Sequence, residues 1–186
     1  MYIPRPFEVS DQQELFNFIK NNSFGILFSR TERGLFATHL PFLLEERTNQ
    51  GYLLAHMAKE NPHWKELQRE EVLVVFSGPH TYISPTWYGD KNTVPTWNYV
   101  AVHVYGECEL IEDQDSLNSI MEKTVQFYES SLPNPWQADI NDEFVKRLMK
   151  AIVGFRIRIA RIEGKWKLSQ NHSIERQQNV ISSLRQ

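Results

Sequence analysis

Residues 53–67, LLAHMAKENPHWKEL, gather His56, Lys59 and His63 around an Asn-Pro step at the end of an apolar run. These residue types hold anions. An ammonium supplies charge, and an imidazole supplies a hydrogen-bond donor whose charge changes near neutral pH. Asn61 suits an N-cap and Pro62 suits a first helical residue, so a short helix over PHWKELQRE is expected to open just past Lys59. Its N–H groups and positive dipole end would stand beside the lysine, a place fit for a phosphate. The same residues also make an ordinary strand-to-helix turn with a solvated lysine. Taken alone, they leave both readings open.

Other chemistries find less support. The chain has six histidines, but His56 and His63 lie seven apart, His80 and His103 stand alone, and there is no H-E-x-x-H and no cysteine pair. No metal site is expected. There is no G-x-S-x-G elbow, and FSGPH, residues 76–80, reads as a strand end followed by a turn. The glycine motifs that cradle dinucleotides and nucleoside triphosphates are absent as well, so any phosphate must be held by side chains and a local helix terminus. No catalytic residue is assigned.

The elements that position these groups follow from periodicity. SDQQELFNFIKNN opens with a Ser10/Gln13 capping box and puts Leu15, Phe18 and Ile19 on one helical face. FGILFSR and LFATHLPFLL, joined by TERG, read as a hairpin with Gly34 in the turn. A second turn, RTNQG, leads to YLLAHM, so residues 24–57 are expected to form a three-stranded meander. After the apolar run VLVVFSG, residues 79–98 look irregular, a long ordered loop with several prolines and aromatics. YVAVHVYGECELI alternates, with Val102, Val104, Cys108 and Leu110 on one face and His103, Tyr105, Glu107 and Glu109 on the other. Cys108 is thus expected in the core and inert. Two helices, QDSLNSIMEKTVQFYES and NDEFVKRLMKAI, precede a last strand, GFRIRIARIEG, ending at Gly164. The polar tail, residues 171–186, is weakly helical and belongs to the same domain as residues 1–170.

The bulk properties agree with this layout. Of 186 residues, 41% are hydrophobic and 23% charged, enough to bury a core without disulfides. Five Trp, seven Tyr and eleven Phe suit a tightly packed barrel or a face awaiting a flat ligand. The net charge of −3 makes direct DNA binding doubtful without a local basic patch. Candidates for such a patch are Arg156, Arg158 and Arg161, and the tail's Arg176 and Arg185. The lone cysteine, and the lack of a leader-like or membrane-length apolar run, make the cytoplasm the expected address, with no membrane partner. The fold expected is mainly β within the α+β class: a split β-barrel with peripheral helices.

YLLAHMAKENPHWKEL resembles the strand-loop-helix of the flavin-binding split barrels related to pyridoxamine phosphate oxidases. More closely, MYIPRPFE, ATHLPFLL, HMAKENPHW, VLVVFSGPHTYISPTWY, VPTWNYVAVHVYGE and EGKWKLSQN, in this order, resemble the PaiB family of negative transcriptional regulators. The resemblance implies an FMN-binding split barrel that represses sporulation and degradative-enzyme genes. It implies that Lys59 pairs with the FMN phosphate beside His56 and Met57, and that Trp97 and Tyr99 lie near the isoalloxazine. His39 would run under the flavin, and Lys167, Ser169 and Gln170 would reach the cleft, from the other subunit of a homodimer if not from their own. Arginines that many oxidases place around the phosphate are missing here. Three functions stay open: a flavin-binding regulator, a flavin-dependent oxidoreductase, and a cofactor-free interaction scaffold. No acid, base or second-substrate pocket favours the enzyme.

Overall fold

The structure, a computed structural model, describes residues 1–47, 50–89, 92–137 and 142–185. Strand β1 (Glu8–Val9) leads into helix α1 (Gln12–Asn21). The cap of α1 is Asp11, not Ser10: the Asp11 carboxylate accepts the Glu14 N–H at 2.8 Å, one residue later than the expected box. Leu15, Phe16 and Ile19 are its buried residues, while Phe18 is partly buried against Trp166.

The hairpin around TERG forms as read. β2 (Phe24–Thr31) pairs β3 (Gly34–Pro41) in full register, and Gly34 takes φ +111°, a conformation that costs a side-chain-bearing residue. The three-stranded meander does not form. The chain leaves the ladder at Phe42, whose N–H turns back to the Ser23 carbonyl at 2.8 Å. Its ring enters the core edge-on to Phe76 and Phe155. β4 (Leu43–Arg47) then pairs β5 (Gln50–Ala58), not β2 or β3. The turn expected at 47–51 falls partly on residues 48–49, outside the described residues.

β6 (Glu71–Ile83), β7 (Thr96–Leu110) and β8 (Ile152–Lys167) complete one antiparallel sheet in the order β3-β2-β6-β7-β8-β5-β4, with β1 on β8. The end strands of that path, β3 and β4, are consecutive in the chain with Phe42 alone between them. The sheet must therefore curl until its edges are neighbours, which makes a split barrel. Inward-facing Leu27, Leu53, Ala55, Val72, Val74, Phe76, Val102, Val104, Cys108 and Ile157 fill it, with Leu15 and Ile19 of α1. At about 25 cal/mol per Å² of buried apolar area, this core is the main stabilising term.

Two strands run further than their sequences suggest. β6 continues through SGPH, because a bulge between Ser77 and His80 carries Gly78 and Pro79 out of register and spares the ladder the missing proline N–H. Gly78 is needed there, since a Cβ would lie 2.8 Å from the Phe18 ring. The loop expected at 79–98 thus shrinks to the connection between Ile83 and Thr96. β8 likewise passes Gly164 and ends at Lys167.

The helices lie outside the barrel. α2 (Gln114–Glu129) lays Ile120 on Leu43 and Leu54, on the outer face of β4 and β5. α3 (Glu143–Met149) is shorter than its sequence pattern. α4 (Ile174–Leu184), capped by Ser173, sets Val180 against Ile83 and Tyr88. Among the described residues no helix is long and apolar enough to cross a membrane.

Candidate functional site

The HMAKENPHW stretch divides in two. His63 is 1% exposed and fully committed to structure. Its Nε2 lies 2.8 Å from the Ser29 hydroxyl and its Nδ1 2.8 Å from the Thr38 hydroxyl, while Asn61 caps its N–H and donates to Thr38. Burial holds its imidazole below the usual histidine range, against the opposing pull of Glu66. The expected helix is only a five-residue 3-10 turn, Pro62–Glu66, so no helical dipole end backs the anion site. Pro62 and the Asn61 cap account for the turn's start. What remains for an anion is His56 and Lys59.

Lys59 is exposed at the end of β5. Its Nζ donates to the Lys150 carbonyl at 2.6 Å, its N–H to Ala151, and its carbonyl accepts from Trp64 Nε1. Lys59 thus serves the C-terminal end of α3, a favourable place for a cation, with one of its three ammonium donors. His56 points to the outer face beside Gly154, where α2 presses so closely that a Cβ on Gly154 would meet Leu117 at 2.7 Å. Burial lowers its pKa, so it stands neutral at pH 7 and offers a hydrogen bond rather than a second charge. Met57 faces inward, 3% exposed in the barrel core.

A second group gathers at the other end of β7 and β8. Trp97 is 54% exposed, edge-on to Tyr82 at 6.1 Å and 6.4 Å from the His80 ring. Tyr99 lies between His80 and Lys167 in the register, with the Lys165 ammonium 5.2 Å from its ring centre. Lys167 donates to the Thr96 hydroxyl and the Trp97 carbonyl, both at 2.6 Å. Ser169 is buried at φ +66°, donating to Asn98 at 3.1 Å with Tyr88 3.3 Å away. Gln170 accepts from the Leu168 N–H at 2.6 Å and reaches back to the Trp166 carbonyl.

The two groups do not meet within one chain. Ala58 pairs Ile152 and Tyr99 pairs Lys167, so they sit at opposite ends of β8, about 50 Å apart along the strand. His39 joins neither. It is exposed on β3, in the outward row His39, Ile26, Val75, His103, Glu163 that crosses the sheet between them, nearer the aromatic end. That row and the next, with Phe28 and Leu73, present a half-exposed apolar face. His103 Nδ1 in it is a buried polar atom without a partner. Burial, reinforced by the terminal ammonium, lowers the His103 pKa against the opposing Glu163.

The arginine stripe on β8 is neutralised. Arg156 pairs Glu109 at 2.6 Å, Arg158 pairs Glu107 at 2.9 Å, and Arg161 pairs Glu163 while lying 3.7 Å over the Tyr105 ring. Alternation on β7 places Glu107 and Glu109 on one face but does not name their partners. Sequence reasoning also passed over Tyr82, His80 and Lys165, which the β6 bulge and the strand extensions bring beside Trp97 and Tyr99.

Comparison with known proteins accords with this geometry. Residues 1–161 match the family described as "Putative FMN-binding domain". The chain is 39% identical over 186 residues to the protease synthase and sporulation protein PAI 2 of Bacillus subtilis, covering 99% of this chain and 89% of the relative. Among solved structures, the flavocytochrome Anf3 of Azotobacter vinelandii aligns with TM-score 0.63 at 16% identity, over 89% of this chain and 72% of that one. The FAD and heme binding protein of Mycobacterium smegmatis aligns with TM-score 0.65 at 12% identity, over 86% and 73%. These two likenesses establish the split-barrel fold. By its family match and its full-length likeness to PAI 2, the chain belongs to the PaiB-type family of FMN-binding-domain proteins.

Proposed function

We propose that the protein is a cytoplasmic, homodimeric FMN-binding regulator that acts as a negative transcriptional regulator of sporulation and degradative-enzyme genes. The observation that carries the dimeric site is the separation of its two halves. Lys59 and His56 at one end of β8 and Trp97, Tyr99, Ser169 and Gln170 at the other cannot serve one ligand from one chain. Two chains related by a two-fold axis near Tyr105 and Gly106, about halfway between Ile152 and Lys167 along β8, with β7 and β8 running oppositely across it, bring the cationic end of each to the aromatic end of the other. The apolar outward face, with Ile26, Phe28, Leu73 and Val75, suits such a contact. In this arrangement Lys59 and His56 hold the phosphate, and Trp97 and Tyr99 cover the flavin ring. His39 borders the interface, and Met57 contributes backbone alone. Bound flavin supplies electron-transfer chemistry; these residues bind and orient it.

Control of transcription is read as indirect, through a protein partner, because the net charge is −3 and the β8 arginines Arg156, Arg158 and Arg161 are already paired with glutamates. The test is an FMN titration of the pure protein, followed by flavin fluorescence, with the mass measured by sedimentation. The proposal expects saturation at one FMN per chain on a dimer. A protein that stays monomeric, or that leaves FMN fluorescence unchanged at high micromolar concentration, contradicts it.

A further inference from the structure

Behind the aromatic end of β7 lies a cavity of about 360 Å³, in the size range of small-molecule sites. Phe7, Tyr88 and Val94 give it apolar walls; Lys167 and His172 are the ionisable groups of its polar side, beside Ser169 and four further Asn and Thr residues. The family match ends at residue 161, before Lys167, Ser169 and His172, although other lining residues such as Thr96 lie within it. No carboxylate occurs among the described lining residues, and Lys167 makes no ion pair among the described residues. Its contacts are a hydroxyl and a carbonyl, both neutral. Among the described residues, a partly buried ammonium thus faces the cavity with neutral partners alone.

The polar side is also firmly built. Ser169 holds a left-handed backbone that glycine would take at less cost, and its hydroxyl bridges Asn98 and Tyr88 across the cavity wall. The His172 ring packs 4.8 Å from that of Tyr88, and its carbonyl accepts from Gln177 of α4. Burial first, then Arg176 and Lys167, hold the His172 imidazole in its neutral form, while burial lowers the Lys167 pKa. An arriving negative charge relieves both groups.

We propose that this cavity binds a small organic anion, a carboxylate on a flat apolar body, with the carboxylate on Lys167 and the body against Phe7 and Tyr88. The site adjoins the aromatic end of the proposed flavin cleft, since Ser169 borders both and Lys167 also holds the Trp97 carbonyl, but it takes its anion whether or not flavin is bound. Benzoate is the probe, with inorganic phosphate as the comparison anion. Calorimetric titration is run on the full chain, both without FMN and saturated with it. The expected result is one benzoate per chain in both states, weakened by salt, with phosphate binding about tenfold more weakly or not at all. Lys167→Gln, which keeps a donor for Thr96 and Trp97 but removes the charge, should weaken benzoate about tenfold or more. Val94→Trp, at an exposed wall residue, should block the cavity without removing a buried contact. The His172 pKa, followed by proton NMR, should rise when benzoate binds. Absence of saturable benzoate binding, or binding indifferent to both variants, overturns the proposal. Displacement of benzoate by FMN also overturns it, since the cavity is then part of the flavin cleft. Failure to bind FMN leaves the benzoate result on the FMN-free protein decisive.

Discussion

Replacing His63 by alanine separates the structural half of the HMAKENPHW stretch from its binding half. The imidazole makes two side-chain hydrogen bonds, to Ser29 and Thr38, worth about 1 kcal/mol each. Its loss leaves the Ser29 hydroxyl, on a residue 5% exposed, without that partner, and opens a cavity beside the Phe36 ring, 4.6 Å away. Together these terms give a destabilisation of about 3–5 kcal/mol. That is a large part of the 5–15 kcal/mol typical of a folded domain. Urea unfolding followed by tryptophan fluorescence measures it as a fall in midpoint at unchanged slope. The Lys59→Ala protein serves as control, since its side chain lies in solvent. A His63→Ala protein within about 1 kcal/mol of the parent would show that the network is not holding β2, β3 and the Asn61 turn together.

Lys59→Ala should do the reverse, weakening FMN by about 1.5–3 kcal/mol in a fluorescence titration while moving the unfolding midpoint little. Unchanged affinity would remove Lys59 from the phosphate site. Burial is the leading cause that lowers the pKa of His56, His63, His103 and His172 in the folded chain. The unfolded chain therefore takes up protons first as pH falls through about 6.5. Stability should rise with pH across that window and be lost below it, as thermal melts from pH 5 to 8 would report. A flat profile would contradict the burial of these rings. The Cys108 thiol, fully buried and pushed up to about 12, should resist Ellman's reagent in the native protein and react fully in denaturant. Rapid native labelling would place it outside the core.

The parts of this fold legible in sequence are those governed by local rules. The TERG hairpin needed only Gly34 and two apolar runs, and the alternation of residues 99–110 reported both faces of β7. The Asn61-Pro62 start was visible for the same reason, but its length was not. Trp64 and Leu67 serve barrel packing rather than a helical stripe, so the turn stops after five residues. Tertiary effects hid the rest. Nothing local says that LFATHLPFLL breaks at Phe42, because the break is set by the pocket between Phe76 and Phe155. SGPH looked like an end because a bulge that accommodates Pro79 depends on the partner strand and on Phe18. The candidate site suffered most. Residue types pointed to an anion and a flat ring, but the distance between the two groups follows from the pairing of the end of β5 and the start of β7 with opposite ends of β8.

The central claim is that each flavin site takes Lys59 from one chain and Trp97 with Tyr99 from another. Its most direct test mixes two weakened proteins, Lys59→Ala and Trp97→Ala/Tyr99→Ala, by co-refolding equal amounts and titrating with FMN. If sites form between chains, half the dimers are mixed and each mixed dimer holds one site with all its groups. Tight binding should then return to about one quarter of the parent's capacity. If each site is built within a single chain, every site in the mixture remains defective, and no tight binding returns.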